Sequence, residues 1–222
     1  MMKTLEQCCE PVFDAVVGIL QNTLQDEAAL LRKHMIKVLA SFEASATQAG
    51  HDSASIGAAK LALVALIDET VMQEQSDRKV EWSRQLLQVK YFSHHLAGET
   101  FYDNLRELQQ APYQHIDVIT VYYLCLGLGF HGKYVNDVDK VKSIKYSLER
   151  QISTISQLKS DGNYHISQAS QATLTSKLMR LPWWAMLGVT AGILLSIYLG
   201  YSFAIDITSH HLQQKLHHVR QY

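Results

Sequence analysis

The stretch LPWWAMLGVTAGILLSIYLGYSFAI (181–205) runs for 25 residues without Asp, Glu, Lys, Arg or His. As a helix it is about 37 Å long at ~1.5 Å per residue. That crosses a hydrocarbon core of ~30 Å with some tilt. No second run of this kind exists, and this one lies near the C-terminus. The chain therefore reads as a helical body of about 180 residues held to a bilayer by its tail. The expected division is a body at 1–159, a polar connector at 160–180, a transmembrane helix at 181–205 and a short tail at 206–222.

Within the run, Gly188, Gly192, Ser196 and Gly200 recur every fourth residue. On a helix they line one face as a groove of small residues, which lets a second membrane helix approach closely. Trp183 and Trp184 follow Pro182 at the body side, and Tyr198 and Tyr201 lie toward the other end, as in an interfacial belt.

Twenty Lys and Arg face 21 Asp and Glu, a balance that argues against nucleic acid as a partner. The cysteines are Cys8, Cys9 and Cys125, two of them adjacent, so they are no disulfide framework and suit a reducing compartment. MMKTLEQCCEP (1–11) lacks the apolar core of a secretory signal. Lys177 and Arg180 before the run match Lys215 and Arg220 after it, so local charge leaves the orientation tied. The missing signal and the cysteines place the body in the cytoplasm and the tail across the membrane.

The body shows helical spacing throughout. Pro11 is expected to open a first long helix carrying Phe13, Val16, Val17, Leu20, Leu24, Leu31 and Met35 on a beat of three to four. A loop at 45–55 precedes a second helix at 56–73, apolar on most sides as befits the centre of a bundle. A third helix is expected at 80–95, broken by Gly98, then a short one at 99–110. Pro112 separates it from an apolar segment at 116–128 whose β-branched residues would also suit a strand, but which is read as a helix from the helical spacing of its neighbours and ends on Gly127, Gly129 and Gly132. In the last helix, 136–158, Val141, Ile144, Leu148, Ile152 and Ile155 share one face. Each stripe needs a partner to bury it, so the fold class is all-α.

Few residue groups suggest chemistry. Asp68 and Glu69 end the apolar helix, and a buried carboxylate there requires a backbone N–H, a hydroxyl or a cation. Adjacent helical residues point about 100° apart, so the two form no shared acid–base dyad. His94 and His95 cannot readily share a metal, and no HExxH or CxxC pattern exists. The tail histidines 210, 211, 217 and 218 suit only weak metal binding. In LCLGLGFHGKY (124–134), Lys133 precedes Tyr134 rather than Ser or Thr, so this is no phosphate loop. No metal, cofactor or catalytic residue is expected. A tail-anchored membrane hydrolase, the rival reading, would need carboxylates or histidines clustered around a pocket. Between 133 and 159, six basic residues against three acidic ones make a modest positive surface suited to lipid headgroups or an acidic partner.

LALVALIDE (61–69), the helix with Trp82, Leu86 and Leu87, AGETFYDNLREL (97–108) and YYLCLGLGFHGKY (122–134) together resemble the DotU family. Its members in type VI secretion are called TssL. The chain departs from the family at EQSDRK (74–79), where relatives often carry Trp-Gly, and at Ala97-Gly98, where they carry two glycines. With 17 residues after the run, it is not expected to carry the peptidoglycan-binding domain that some relatives append. The resemblance implies two small three-helix bundles in the cytoplasm and one C-terminal helix in the bacterial inner membrane. It also implies a large IcmF-like (TssM-like) partner, contacts with other secretion components and lipid, and room for self-association. It further implies a non-enzymatic part in protein transport and virulence, most like the Dot/Icm type IVB branch. The type VI alternative links a membrane complex to a baseplate. On this chain the acidic pair is Asp68 and Glu69, and the Gly-Glu-aromatic motif is Gly98, Glu99 and Phe101. The long motif supplies Gly127, Gly129, Phe130, Gly132 and Tyr134. Most are expected to shape the bundle, with Glu69 and Glu99 as candidates for partner contact.

Overall fold

The computed structural model describes residues 3–24, 26–74, 76–93 and 97–160. The connector beyond 160, the run at 181–205, the tail and the groove of Gly188, Gly192, Ser196 and Gly200 lie outside them. Among the described residues no helix is long and apolar enough to cross a membrane.

The described residues are all-helical: α1 (Leu5–Leu20), α2 (Ala28–Gln48), α3 (Ser53–Gln73), α4 (Asp77–Ser83), α5 (Leu87–Phe92), α6 (Ala97–Leu108), α7 (Pro112–Gly127), a 3-10 turn (Gly132–Tyr134) and α8 (Val138–Ser160). Pro11 does not open α1 but sits inside it. Thr4 is the cap instead: its hydroxyl accepts from the Gln7 amide while the Gln7 side chain accepts from the Thr4 amide. The long first helix is really two, because Asn22 turns left-handed and Thr23 and Leu24 both donate back to the Gly18 carbonyl. Arg78 pins that turn by donating to the carbonyls of Leu24 and Asp26 and pairing with Glu74.

α2 runs past the expected loop start and buries Leu31, Met35, Leu39, Phe42 and Ala46 along one stripe. α3 begins at the Asp52 cap, whose carboxylate accepts from the amides of Ala54 and Ser55. From Ala62 to Asp68 every residue of α3 is buried. It touches α1, α2, α4, α5, α6 and α7, as a helix apolar on most sides must.

The helix expected at 80–95 is also two, α4 and α5, and the second stops at Ser93 with φ 61°. Gly98 is no breaker; it lies in the first turn of α6. Helices α1–α3 pack together on one side, while α7 joins α6 and α8 on the other. Because α3 also packs on α6 and α7, one continuous apolar core joins the two groups.

Candidate functional site

The two carboxylates at the end of α3 serve separate places. Asp68 is 3% exposed. Its Oδ1 accepts from Trp82 Nε1 at 2.9 Å and from the Leu87 amide at 3.0 Å. Its Oδ2 accepts from the Gln88 amide at 2.8 Å. One side chain thus satisfies the opening amides of α5 and the indole of α4. The Gln88 side chain in turn accepts from the Ala97 amide at the start of α6. Arg32 of α2 lies 4.9 Å over the Trp82 ring and donates to the Trp82 carbonyl. Burial pushes the Asp68 carboxyl above its ordinary pKa, against the pull of its three donors and the Arg32 charge.

Glu69 turns to the long glycine motif. Its two oxygens accept from the backbone amides of His131 at 2.7 Å and Gly132 at 2.8 Å. Consecutive N–H groups aimed at one anion form a nest, here filled by a side chain of the same protein. Gln73 donates to the same carboxylate from the next turn of α3.

The nest is held by the rest of the motif residues. Phe130 inserts into the core, 4.3 Å from the Phe101 ring, which also lies 4.5 Å from Tyr122. The Tyr102 hydroxyl donates to the His131 carbonyl at 2.8 Å, and its ring meets Tyr134 edge-on at 4.6 Å. Gly132 has φ +52°, and a Cβ there would stand 2.8 Å from the Gly98 carbonyl oxygen. A Cβ on Gly98 would stand 3.2 Å from the Gly132 Cα. The two glycines let backbone meet backbone, and that contact seats the 3-10 turn against α6.

The structure therefore brings Glu69, Gly98, Phe101, Phe130, Gly132 and Tyr134 into one clamp. Asp68 belongs to a second clamp alongside. Gly129 takes φ +100° to leave α7, whereas a Cβ on Gly127 would meet open space. Glu99 is exposed on the first turn of α6, and its carboxylate makes no hydrogen bond or ion pair with another described residue. Sequence reasoning missed Arg32, Gln88 and Tyr102. Only Trp82 carried a readable signal, since a buried indole N–H requires an acceptor.

Each of the two carboxylates accepts from three donors. Among the described residues no group of three His, Cys, Asp or Glu could hold a metal ion. Cys8, Cys9 and Cys125 are free and buried. Burial pushes the thiols of Cys9 and Cys125 well up, so they stay protonated.

A family model described as "Type VI secretion system protein DotU" matches residues 4–204. The chain belongs to the DotU family. Solved structures of TssL share the fold. The cytoplasmic domain of TssL from Acinetobacter baumannii is 25% identical, with TM-score 0.66 over 69% of this chain and 99% of that one. TssL from Vibrio cholerae is 22% identical, with TM-score 0.61 over 70% and 99%. SciP/TssL from enteroaggregative Escherichia coli is 24% identical, with TM-score 0.54 over 58% and 75%. A comparison with curated proteins finds no match. In this DotU-family chain, Asp68, Glu69, Gly98, Phe101, Phe130 and Gly132 lie where the helices meet, whereas Glu99 is exposed and Gly127 faces open space.

Proposed function

We propose that the chain is a non-enzymatic structural component of a bacterial secretion system. Residues 181–205 anchor it in the inner membrane, with the body at 1–159 in the cytoplasm, a connector at 160–180 and the tail at 206–222 in the periplasm. It pairs with a large IcmF-like membrane protein and stabilises the secretion complex. The observation that carries this is the family match across 4–204, which continues from the helical body through almost all of the uncharged run. Gly188, Gly192, Ser196 and Gly200 supply a face for the partner's membrane helix. Of the two carboxylates considered for partner contact, Glu99 suits that role, because both oxygens of Glu69 are taken by the nest.

The branch we favour is type IVB, on the resemblance of the sequence motifs. The type VI reading, a link from membrane complex to baseplate, draws support from the description of the family model and from the TssL structures. The components recovered with the chain separate the two.

An export assay tests the function. Deleting the gene should abolish secretion of the system's substrates, and the full chain should restore it. A chain lacking 181–222 should fold but not restore it. Full restoration by that truncated chain would overturn the anchored mechanism.

A further inference from the structure

The outward arc of α8 carries Ser143, Ser147, Arg150 and Thr154 at spacings of four, three and four, with Tyr146 beside them. It faces the first turn of α7, where Tyr113 stands. Together they line an open groove of about 470 Å³ that contains no carboxylate. Tyr113 is 52% exposed and Tyr146 64% exposed. The Arg150 guanidinium makes no ion pair with another described residue. The Thr154 hydroxyl donates to the Arg150 carbonyl, but a guanidinium without an ion pair beside the hydroxyls of Ser143, Ser147 and the two tyrosines is suited to phosphate oxygens. Along α8, Lys140, Lys142, Lys145, Arg150 and Lys159 outnumber Asp139 and Glu149, and Asp139 is paired with Lys142.

We propose that this α7–α8 groove is a docking surface for the anionic headgroups of the membrane that holds the tail. The inference rests on the membrane-anchored reading above. A free soluble anion explains Arg150 and the hydroxyls but not two bare tyrosine rings. Aromatic rings with a polar tip belong at the headgroup level, where ring and hydroxyl both find their medium. Chain length fits this placement. Thr154 is about 9 Å from the end of α8 at ~1.5 Å per residue. Twenty residues (161–180) lie between the last described residue of α8 and the uncharged run. They reach at most roughly 70 Å when extended.

The test uses the full chain reconstituted in phosphatidylcholine vesicles with or without phosphatidylglycerol. A Ser147→Cys variant is labelled with a fluorophore, the three native thiols being buried. A Lys37→Cys variant on the exposed side of α2 serves as control. Nitroxide-headgroup lipid should quench the label at 147 much more strongly with phosphatidylglycerol than without, and leave the label at 37 alone. Arg150→Glu should weaken that difference, by roughly fivefold for each unit of charge lost near the surface. Tyr113→Ala with Tyr146→Ala should weaken it too. No quenching at 147 in a chain that withstands alkaline carbonate overturns the groove proposal alone. A chain that carbonate releases from the vesicles overturns both it and the anchored reading. A response of the 147 label to inorganic phosphate that equals the response to anionic vesicles would make this a soluble-anion site and overturn the lipid assignment.

Discussion

Glu69 shows how much one side chain decides in this body. Its carboxylate closes on two amides 62 and 63 residues away and so fixes the exit of α7 against α3. Glu69→Gln keeps the size but loses the charge and puts an N–H₂ group where an acceptor is needed. We expect a loss of about 1–3 kcal/mol, the cost of leaving a donor poorly paired, read from urea unfolding. An unchanged midpoint would remove Glu69 from the clamp. The glycines of the same motif should respond unequally. Gly132→Ala meets the Gly98 carbonyl and a positive φ, and should cost roughly 2 kcal/mol or more. Gly127→Ala meets open space inside a helix, and should be neutral or stabilising by up to about 1 kcal/mol. Equal melting shifts for the two would contradict the close backbone contact. The need of Asp68 and Glu69 for donors was readable in their place at the end of an apolar helix. Which amides answer was not, because leftover N–H groups depend on how distant turns close.

At the scale of elements, α3 is the helix on which the others rest, and its start is set by a single cap. The Ser55 hydroxyl and the amides of Ser55 and Ala54 hold the Asp52 carboxyl below its ordinary pKa. A carboxylate with a depressed folded pKa stabilises fully above the unfolded value of ~3.9 and loses that share as pH falls through the folded one. Asp52→Ala should therefore cost about 1 kcal/mol near neutral pH. The gap to the wild type should close in melts run below about pH 4. A gap that is constant down to pH 2 would contradict a charged cap. The helices α3 and α8 were legible because each is long and one-sided or wholly apolar, whereas only the start of the α2 stripe, Leu31 and Met35, was read, and as part of the first helix. The breaks were not. Asn22 and Ser93 end their helices with positive φ, in stretches whose apolar beat runs on. Pro11 looked like a start because the true cap, Thr4, opens the helix two turns earlier.

At the scale of the whole molecule, a helical body is followed in the sequence by an uncharged apolar run. The all-helical fold was readable because no segment alternates like a strand. The merging of the two helix groups through α3 was not, since contact between distant helices leaves no mark on spacing. If the run packs on a partner span, Gly192→Leu should reduce recovery of that partner several-fold without releasing the chain from membranes. Undiminished recovery would reject the groove of small residues. A cysteine placed in 206–222 should react with a membrane-impermeant thiol reagent in intact cells whose outer membrane admits it, and protection would reverse the orientation. The most direct measurement is affinity purification of the tagged full chain from carbonate-washed, detergent-solubilised membranes, with the recovered proteins identified by mass spectrometry. An IcmF-like membrane protein is expected among them. A chain absent from the washed membranes, or present there without any secretion component, would contradict that expectation.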